Sequence, residues 1–171
     1  MHPFPAFMEA WKTISVFPGW SEPEDGTSYM WFDVPLEIEG VTEAGFVLHG
    51  GCYKDHPDCH VTFEIRVQKS VAGRKIPLSR LDWKSLSGGH TNPRKGESEW
   101  SGKRLANTHF HSFDLNWLPD ERRMRGAALT LAMEINPPLA DFAAVRAYAG
   151  IVFKIANMKV VTIPTWQYSF L

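Results

Sequence analysis

Hydrophobic and polar residues alternate with a period of two along several segments, a pattern that predicts β-strands. The clearest case is residues 60–68, where Val61, Phe63, Ile65 and Val67 alternate with polar side chains. One face of this strand should belong to the core, and the other should be wet or line a groove. Less regular versions of the pattern predict further strands at residues 28–38, 46–52, 75–83, 104–118 and 127–135. Residues 11–16 fit a short strand or a helical turn, and the last residues fit a closing strand or an apolar tail.

Helical spacing of apolar residues is found near the C-terminus, from Phe142 to Ala156. Asn136, which precedes two prolines, is the predicted N-cap of this helix, and Asn157 is its predicted end. The sequence therefore predicts an α+β fold, mainly an antiparallel sheet of six to seven strands with one long helix on one face. The strand count also permits a barrel.

The chain has 171 residues, of which 44% are hydrophobic, and this predicts one globular domain over residues 1–171. No window approaches the roughly 18 consecutive apolar residues of a membrane span, and the start lacks the pattern of a secretory signal. Two cysteines are too few for a disulfide framework. We therefore expect a cytoplasmic protein without a membrane partner.

Charge is unevenly distributed although the net charge is −1. Residues 1–65 contain two basic and eleven acidic side chains, whereas residues 66–125 contain thirteen basic and six acidic ones. The basic segment is typical of a site for a phosphate-containing ligand or a nucleic acid. Alternatively, the acidic and basic segments face each other within the fold.

Three polar motifs follow one another inside the basic segment, and they provide the candidate site. They are Arg80 with Asp82, His90 with Asn92, and His109 with His111. Side chains two residues apart on a strand share a face, with Cβ atoms about 7 Å apart. His109 and His111 should therefore lie on one face, together with Phe113 and Leu115, and the motifs in front of them should supply a cation and a carboxylate.

Three functions remain open for these residues. In the interpretation that we favour, Arg80 or Asp82 bonds to His90 and Asn92 and closes a loop onto the sheet, and the chain is a non-catalytic interaction module for a protein partner. In the second, the chain is a phosphate-directed enzyme or nucleic-acid processor. In that enzyme Arg80 and Asn92 would hold the anionic substrate, and His90, His109 and His111 would transfer protons. Asp82 would orient one of these histidines. In the third, His109 and His111 bind zinc or another transition metal.

Seven tryptophans are a further feature of the chain. Trp31, Trp83 and Trp117 occupy apolar positions of predicted strands, so we assign them to the core. Trp100 lies in a long charged loop at residues 85–102, where an aromatic ring beside basic side chains can stack on a nucleobase. We therefore include Trp100 among the substrate-binding candidates.

A second set of soft ligands lies in the predicted hairpin between residues 46 and 68. It contains five potential metal ligands within twelve residues, namely His49, Cys52, His56, Cys59 and His60. A hairpin centred near residues 55 and 56 would bring Cys52 opposite Cys59, which suits a shared zinc ion or a disulfide. The spacing matches no standard zinc signature, so an ordinary loop is the third interpretation.

The order of motifs also carries a resemblance. Arg80-Leu-Asp82, His90-Thr-Asn92 and Thr108-His-Phe-His111, followed by an apolar helix ending near Asn157, resemble a group of small uncharacterised prokaryotic proteins. The resemblance covers roughly the second half of the chain and implies a cytoplasmic prokaryotic protein without an established activity.

Two other families are less similar. Two-histidine phosphoesterases need two His-x-Ser/Thr repeats, which neither His90-Thr-Asn92 nor the His109 motif provides. Cupin-like metal barrels also use a His-x-His pair with a carboxylate, which Asp114 or Glu134 would supply here, but their glycine spacing is absent.

Overall fold

The computed structural model describes residues 3–94, 98–126 and 128–168. Seven strands form one antiparallel sheet in the order β1-β2-β3-β4-β5-β6-β9, and β7 pairs with β8 beside it. The strands are β1 Thr13–Ile14, β2 Tyr29–Ile38, β3 Val41–Tyr53, β4 Val61–Val67, β5 Ile76–Trp83, β6 His109–His111, β7 Trp117–Leu118, β8 Arg123–Met124 and β9 Met133–Glu134. The helices are α1 Phe4–Glu9, α2 Lys69–Ala72, α3 Phe113–Asn116 and α4 Phe142–Val152, and a 3-10 turn covers Met158–Val160.

The predicted α+β class is confirmed, with a mainly antiparallel sheet and one long helix near the C-terminus. The described strands do not close into a barrel, because β1 and β9 stand at opposite edges of the sheet. Among the described residues, no helix is both long and apolar enough to cross a bilayer.

Neighbouring strands in the sequence pair directly, from β1 through β6. The β2–β3 hairpin turns through Glu39 and Gly40, which both have positive φ, as a two-residue turn of type I′ requires. The ladder between β2 and β3 has a register shift between Pro35 and Glu37. Proline fits a bulge because it has no N–H to donate to a ladder.

One face of the sheet is apolar and packs under α4 and α1. The alternating residues of β4 lie on this face and are fully buried, as their period of two predicts. The ring of Phe63 lies 6.1 Å from that of Phe142 at the start of α4, and Phe7 of α1 stacks on Phe46 at 3.8 Å. Trp83 belongs to this core, and Trp117 is half-buried. The assignment of Trp31 to the core was wrong, because its side chain lies on the other face and is 38% exposed.

Two long strand predictions were wrong in extent. The strand expected at residues 104–118 is limited to His109–His111, because Ser112 accepts a hydrogen bond from the Leu115 amide and starts the helical turn α3. Phe113 and Leu115 consequently leave the strand. The strand expected at residues 127–135 is limited to Met133–Glu134, since Leu129 has a positive φ that no strand tolerates. Ala127 is outside the described residues.

The long helix begins later than expected. Its N-cap is Asp141, whose carboxylate accepts a hydrogen bond from the Ala144 amide at 2.8 Å, and not Asn136. The helix ends at Val152, because the chain turns there into a short irregular segment before Met158. The described part of the C-terminal tail, up to Tyr168, contains no strand, and Phe170 is outside the described residues.

Candidate functional site

The polar face of the sheet carries two rows of side chains that cross several strands in register. The first row consists of residues directly opposite one another on β2, β3, β4, β5 and β6, namely Asp33, His49, Glu64, Arg80 and His111. Directly opposite residues of an antiparallel pair have Cβ atoms about 5 Å apart, and side-chain contacts join Asp33 to His49 and Arg80 to His111.

The second row lies beside the first and continues to the far edge of the sheet. Its members are Gly51, Thr62, Asp82, His109 and Glu134. The prediction that Arg80 shares a face with Asp82, and His109 with His111, is confirmed, and pairing of β5 with β6 brings these two pairs together.

Asp82 is the centre of this arrangement. Its Oδ1 accepts a hydrogen bond from the Thr62 hydroxyl at 2.8 Å, and its Oδ2 accepts one from Arg80 Nε at 2.8 Å. The same Oδ2 lies 3.4 Å from His109 Nε2 and 3.7 Å from His111 Nε2. Burial by itself raises the pKa of Asp82, but the bond with His109, the charge of Arg80 and the Thr62 hydroxyl outweigh it. The net shift lowers the pKa, so Asp82 is a carboxylate at neutral pH.

Each histidine of the site is held by a backbone carbonyl. The acceptors are Ala106 for His109 Nδ1 at 3.0 Å, Leu131 for His111 Nδ1 at 3.1 Å and Thr130 for His90 Nε2 at 3.0 Å. A carbonyl accepts a hydrogen bond only from a protonated nitrogen, so these contacts determine the tautomer of each neutral ring. The nitrogens that remain are Nε2 of His109, Nε2 of His111 and Nδ1 of His90.

The three rings lie around a common centre. Their centroids are 4.8 to 5.5 Å apart, and one ring nitrogen of each lies within 4.8 Å of one nitrogen of the others. His109 is 4% exposed and His111 is 0% exposed, whereas His90 is half-buried. Within the part of the chain that the structure describes, no other group of three or more His, Cys, Asp or Glu side chains has such spacing.

Burial and then the nearby Arg80 guanidinium lower the pKa of His111 to about 3. His111 is therefore neutral at physiological pH, and its Nε2 carries a lone pair. Arg80 Nη2 donates to this lone pair at 3.1 Å. Arg80, which we predicted to hold an anion, thus uses two of its nitrogens within the cluster.

Two buried asparagines hold residues 131–132, a segment that follows and includes carbonyls that bind His90 and His111. Asn92 donates to the Ala132 carbonyl and accepts from the Ala132 amide, both at 2.8 Å. Asn116 binds the amide and the carbonyl of Leu131 in the same way, at 3.0 and 2.8 Å. Asn92, a predicted substrate-binding residue, thus holds the segment behind the histidines. Asn116 was missed, since a single asparagine after an apolar stretch carries no distinguishing pattern.

Trp100 is not among the residues that line the polar groove over β2 to β5. Lys103 Nζ lies 4.5 Å from the centre of the Trp100 ring. The backbone carbonyl of Trp100 accepts a hydrogen bond from Asn92 at 2.8 Å. Its side chain is half-buried. A stacking role for Trp100 remains a prediction.

The cysteine and histidine hairpin does not bring Cys52 and Cys59 together as a shared metal ion or a disulfide would require. Gly51 pairs with Thr62, so Cys52 lies in line with Val61 rather than opposite Cys59, because the hairpin turns later in the chain. Cys52 is buried on the core face, and both thiols are free. His56 bonds its neighbour Asp55, and His60 Nδ1 accepts from the Leu86 amide at 2.8 Å.

A groove of about 320 Å³ lies on the polar face of the sheet, over β2 to β5. Arg80 and Asp82 belong both to its wall and to the histidine cluster. The groove itself was anticipated from the polar face of residues 60–68. Its residues Tyr29, Glu64 and Arg66 were not predicted as part of a site, since alternation gives the face of each side chain and not its neighbours across the sheet.

An aspartate, a histidine and a tyrosine form a hydrogen-bonded chain at the groove. Asp33 accepts from His49 Nδ1 at 2.8 Å and from Arg66 Nη2 at 2.7 Å. His49 Nε2 lies 3.3 Å from the Tyr29 hydroxyl, above Gly51, where a Cβ atom would clash with that hydroxyl. Burial raises the pKa of Tyr29 to about 12, so the hydroxyl keeps its proton and donates to His49.

Comparison with family models, curated proteins and solved structures gives no significant match.

Proposed function

We propose that this protein binds a transition metal ion, with His90, His109 and His111 as ligands. The observation that carries the proposal is the matching set of carbonyl bonds. Each imidazole donates one ring N–H to the backbone, and the Nε2 atoms of His109 and His111 face Asp82 Oδ2. His109 Nε2 has to give up any proton that it donates to Asp82 before it can bind an ion. Metal-binding histidines are usually held in this way, because the second hydrogen bond fixes the tautomer and the ring orientation.

Asp82 supplies the fourth ligand in this proposal. Ligand atoms about 2.0 to 2.1 Å from a tetrahedral metal are about 3.4 Å from each other. The separations of Asp82 Oδ2 from His109 Nε2 and His111 Nε2, 3.4 and 3.7 Å, agree with this spacing. The histidine nitrogens spread to 4.8 Å, so binding has to draw them inward. His90 is the ligand best able to move, because it lies in a loop rather than in β6.

Three imidazoles with one carboxylate suit Zn²⁺, and also Fe²⁺, Ni²⁺ or Cu²⁺. Arg80 competes with the ion, because its guanidinium donates to the His111 Nε2 lone pair that the ion would need. Metal binding therefore has to displace this contact, whereas the bond from Arg80 Nε to Asp82 can be kept.

Metal content and metal titration test the proposal. Full-length protein without an affinity tag is stripped with chelator, dialysed and titrated with Zn²⁺ or Co²⁺, with the bound metal measured by elemental analysis. We expect one equivalent per chain, lost in His111→Ala and in the milder His90→Ala. His56→Ala is the matched control, because the His56 side chain lies in the hairpin and is 42% exposed, and it should leave binding unchanged.

Two outcomes would overturn the proposal. The first is the absence of bound metal in wild-type protein whose circular dichroism shows it to be folded. The second is metal that survives in both cluster variants and is lost in His56→Ala or Cys59→Ala, which would move the ion to the hairpin.

The interaction module remains the second candidate, and burial of His111 and Asn92 favours it. The expected bond from Arg80 or Asp82 to His90 and Asn92 was wrong, because His90 and Asn92 bond to backbone groups of the loop and of residues 130–132 instead. In that case the cluster closes the loop between β5 and β6 onto the sheet without an ion. Zinc would then leave the free energy of unfolding unchanged, whereas a bound ion stabilises the folded state by mass action.

A further inference from the structure

The polar groove contains a buried carboxylate that is not fully satisfied. Glu64 lines the groove and is only 8% exposed. Its Oε1 is buried and makes no hydrogen bond within the described structure, although Arg66 Nη1 lies 3.6 Å away. A buried acceptor without a hydrogen bond is costly, and native proteins rarely leave one in place without a ligand, water or ion.

His49 lies directly opposite Glu64, on β3, and its ring also carries an acceptor nitrogen. Asp33 holds the Nδ1–H of His49, so His49 Nε2 carries a lone pair on the groove side, shared with the Tyr29 hydroxyl at the long distance of 3.3 Å. The Glu64 carboxylate favours a ligand group that donates hydrogen bonds, such as an ammonium or a hydroxyl group, and the His49 lone pair beside it is used by the Tyr29 hydroxyl.

Positive charge is also present at the groove. Arg66 is paired with Asp33, and Arg80 with Asp82. Lys75 also lines the groove and is exposed, and it forms no ion pair with any described residue. An anionic group of the ligand can therefore bind Lys75 and the outer edge of Arg80, which lies directly opposite Glu64 on the neighbouring strand.

We propose that the groove binds a small hydroxy or amino carboxylate, with its donor group on Glu64 and its carboxylate on Lys75 and Arg80. A volume of about 320 Å³ is at the small end of the range for ligand sites, which suits a molecule of this size. The proposal rests on the groove residues alone and does not need a metal ion.

Four three-carbon compounds provide a matched set of probes, namely L-lactate, L-alanine, propionate and isopropylamine. Propionate lacks the donor group, and isopropylamine lacks the carboxylate. Binding is followed by amide chemical shifts of the full-length protein, both as purified and after chelation. We expect shifts at groove residues, with lactate and alanine binding at least about tenfold more tightly than the other two, as a hydrogen bond to a charged acceptor implies.

Two substitutions separate the two halves of the site. Glu64→Gln should remove the advantage of lactate over propionate and leave propionate binding unchanged, whereas Lys75→Met should weaken all three carboxylates. Glu39→Gln, in the β2–β3 turn, and Lys69→Met, on α2, are the matched controls outside the groove.

Several results would overturn the groove proposal. These are the absence of groove shifts with every probe, propionate binding as tightly as lactate, or full binding by Glu64→Gln. Shifts that vanish on chelation would place the ligand on a metal rather than on these residues. Failure of metal binding in the titration above would leave the groove proposal intact, so the two proposals fail separately.

Discussion

Arg80 and His111 lie directly opposite each other on β5 and β6, and Arg80 Nη2 donates to His111 Nε2 at 3.1 Å. The Arg80 guanidinium thus donates to the lone pair of the neutral, buried His111 ring. The Nε atom of Arg80 donates to the Asp82 carboxylate beside that ring. The positive charge of Arg80 lies where a metal ion would supply positive charge, so Arg80 and the ion compete for one position.

This competition predicts that Arg80→Met strengthens metal binding. The substitution removes a hydrogen bond from His111 Nε2 and a positive charge close to the incoming ion, so we expect affinity for Zn²⁺ to rise at least about tenfold. The measurement is competition with a chromophoric chelator, with Arg74→Met as a control, since Arg74 lies in the turn before β5. Weaker binding in Arg80→Met at unchanged fold would contradict the competition.

The amide of Asn116 supports the strand-like segment behind His111. Asn116→Ala removes three hydrogen bonds and leaves the buried amide of Leu131 unpaired, so we expect a loss of roughly 3 kcal/mol in the free energy of unfolding. Urea unfolding of wild type and variant measures this loss in the free energy of unfolding. Asn107→Ala is the control, because the Asn107 side chain is exposed, and it should change stability by less than about 0.5 kcal/mol. Equal losses in the two variants would argue against this role of Asn116.

The two thiols should differ in reactivity. Cys52 is buried on the core face, and burial raises its pKa to about 12, whereas Cys59 is half-buried in the hairpin loop. Because the thiolate is the reactive form, we expect a disulfide-exchange reagent at pH 8 to label one thiol in native protein and two in denaturant. Cys59→Ser should abolish native labelling. Two rapidly labelled native thiols would show that Cys52 is accessible.

Lys12 should make stability depend on pH in the alkaline range. Its ammonium group is buried beneath α1 and donates to three carbonyls there, and burial followed by the charge of Lys154 lowers its pKa to about 8. The unfolded chain, in which the pKa is about 10.5, therefore binds more protons between these pH values, so the Lys12 contribution to the free energy of unfolding rises with pH.

The comparison of wild type with Lys12→Met isolates this contribution from other titrating groups. Wild-type protein should gain roughly 2 kcal/mol relative to the variant between pH 7 and pH 9.5, as measured by urea unfolding at both pH values. A stability difference that is constant, or that falls with pH, would mean that Lys12 is not buried as a charged group.

Much of the sheet and half of the candidate site could be predicted from local pattern. Residues 60–68 alternate because one face of β4 is buried, and the same period places Arg80 with Asp82, and His109 with His111, on shared faces. The end of β6 and the start of α4 were missed because the caps Ser112 and Asp141 hydrogen-bond nearby amides and override the apolar spacing.

The sequence by itself determined which side chains share a face, because side-chain direction in a strand follows from position alone. Tertiary structure alone decided which residues meet across strands, since register and strand order depend on pairs of residues far apart in the chain. It placed Arg80 on His111, and it brought the carbonyls of Thr130 and Leu131 to the histidines. Those backbone acceptors, which leave no trace in the pattern of side chains, turn three ordinary histidines into a candidate metal site.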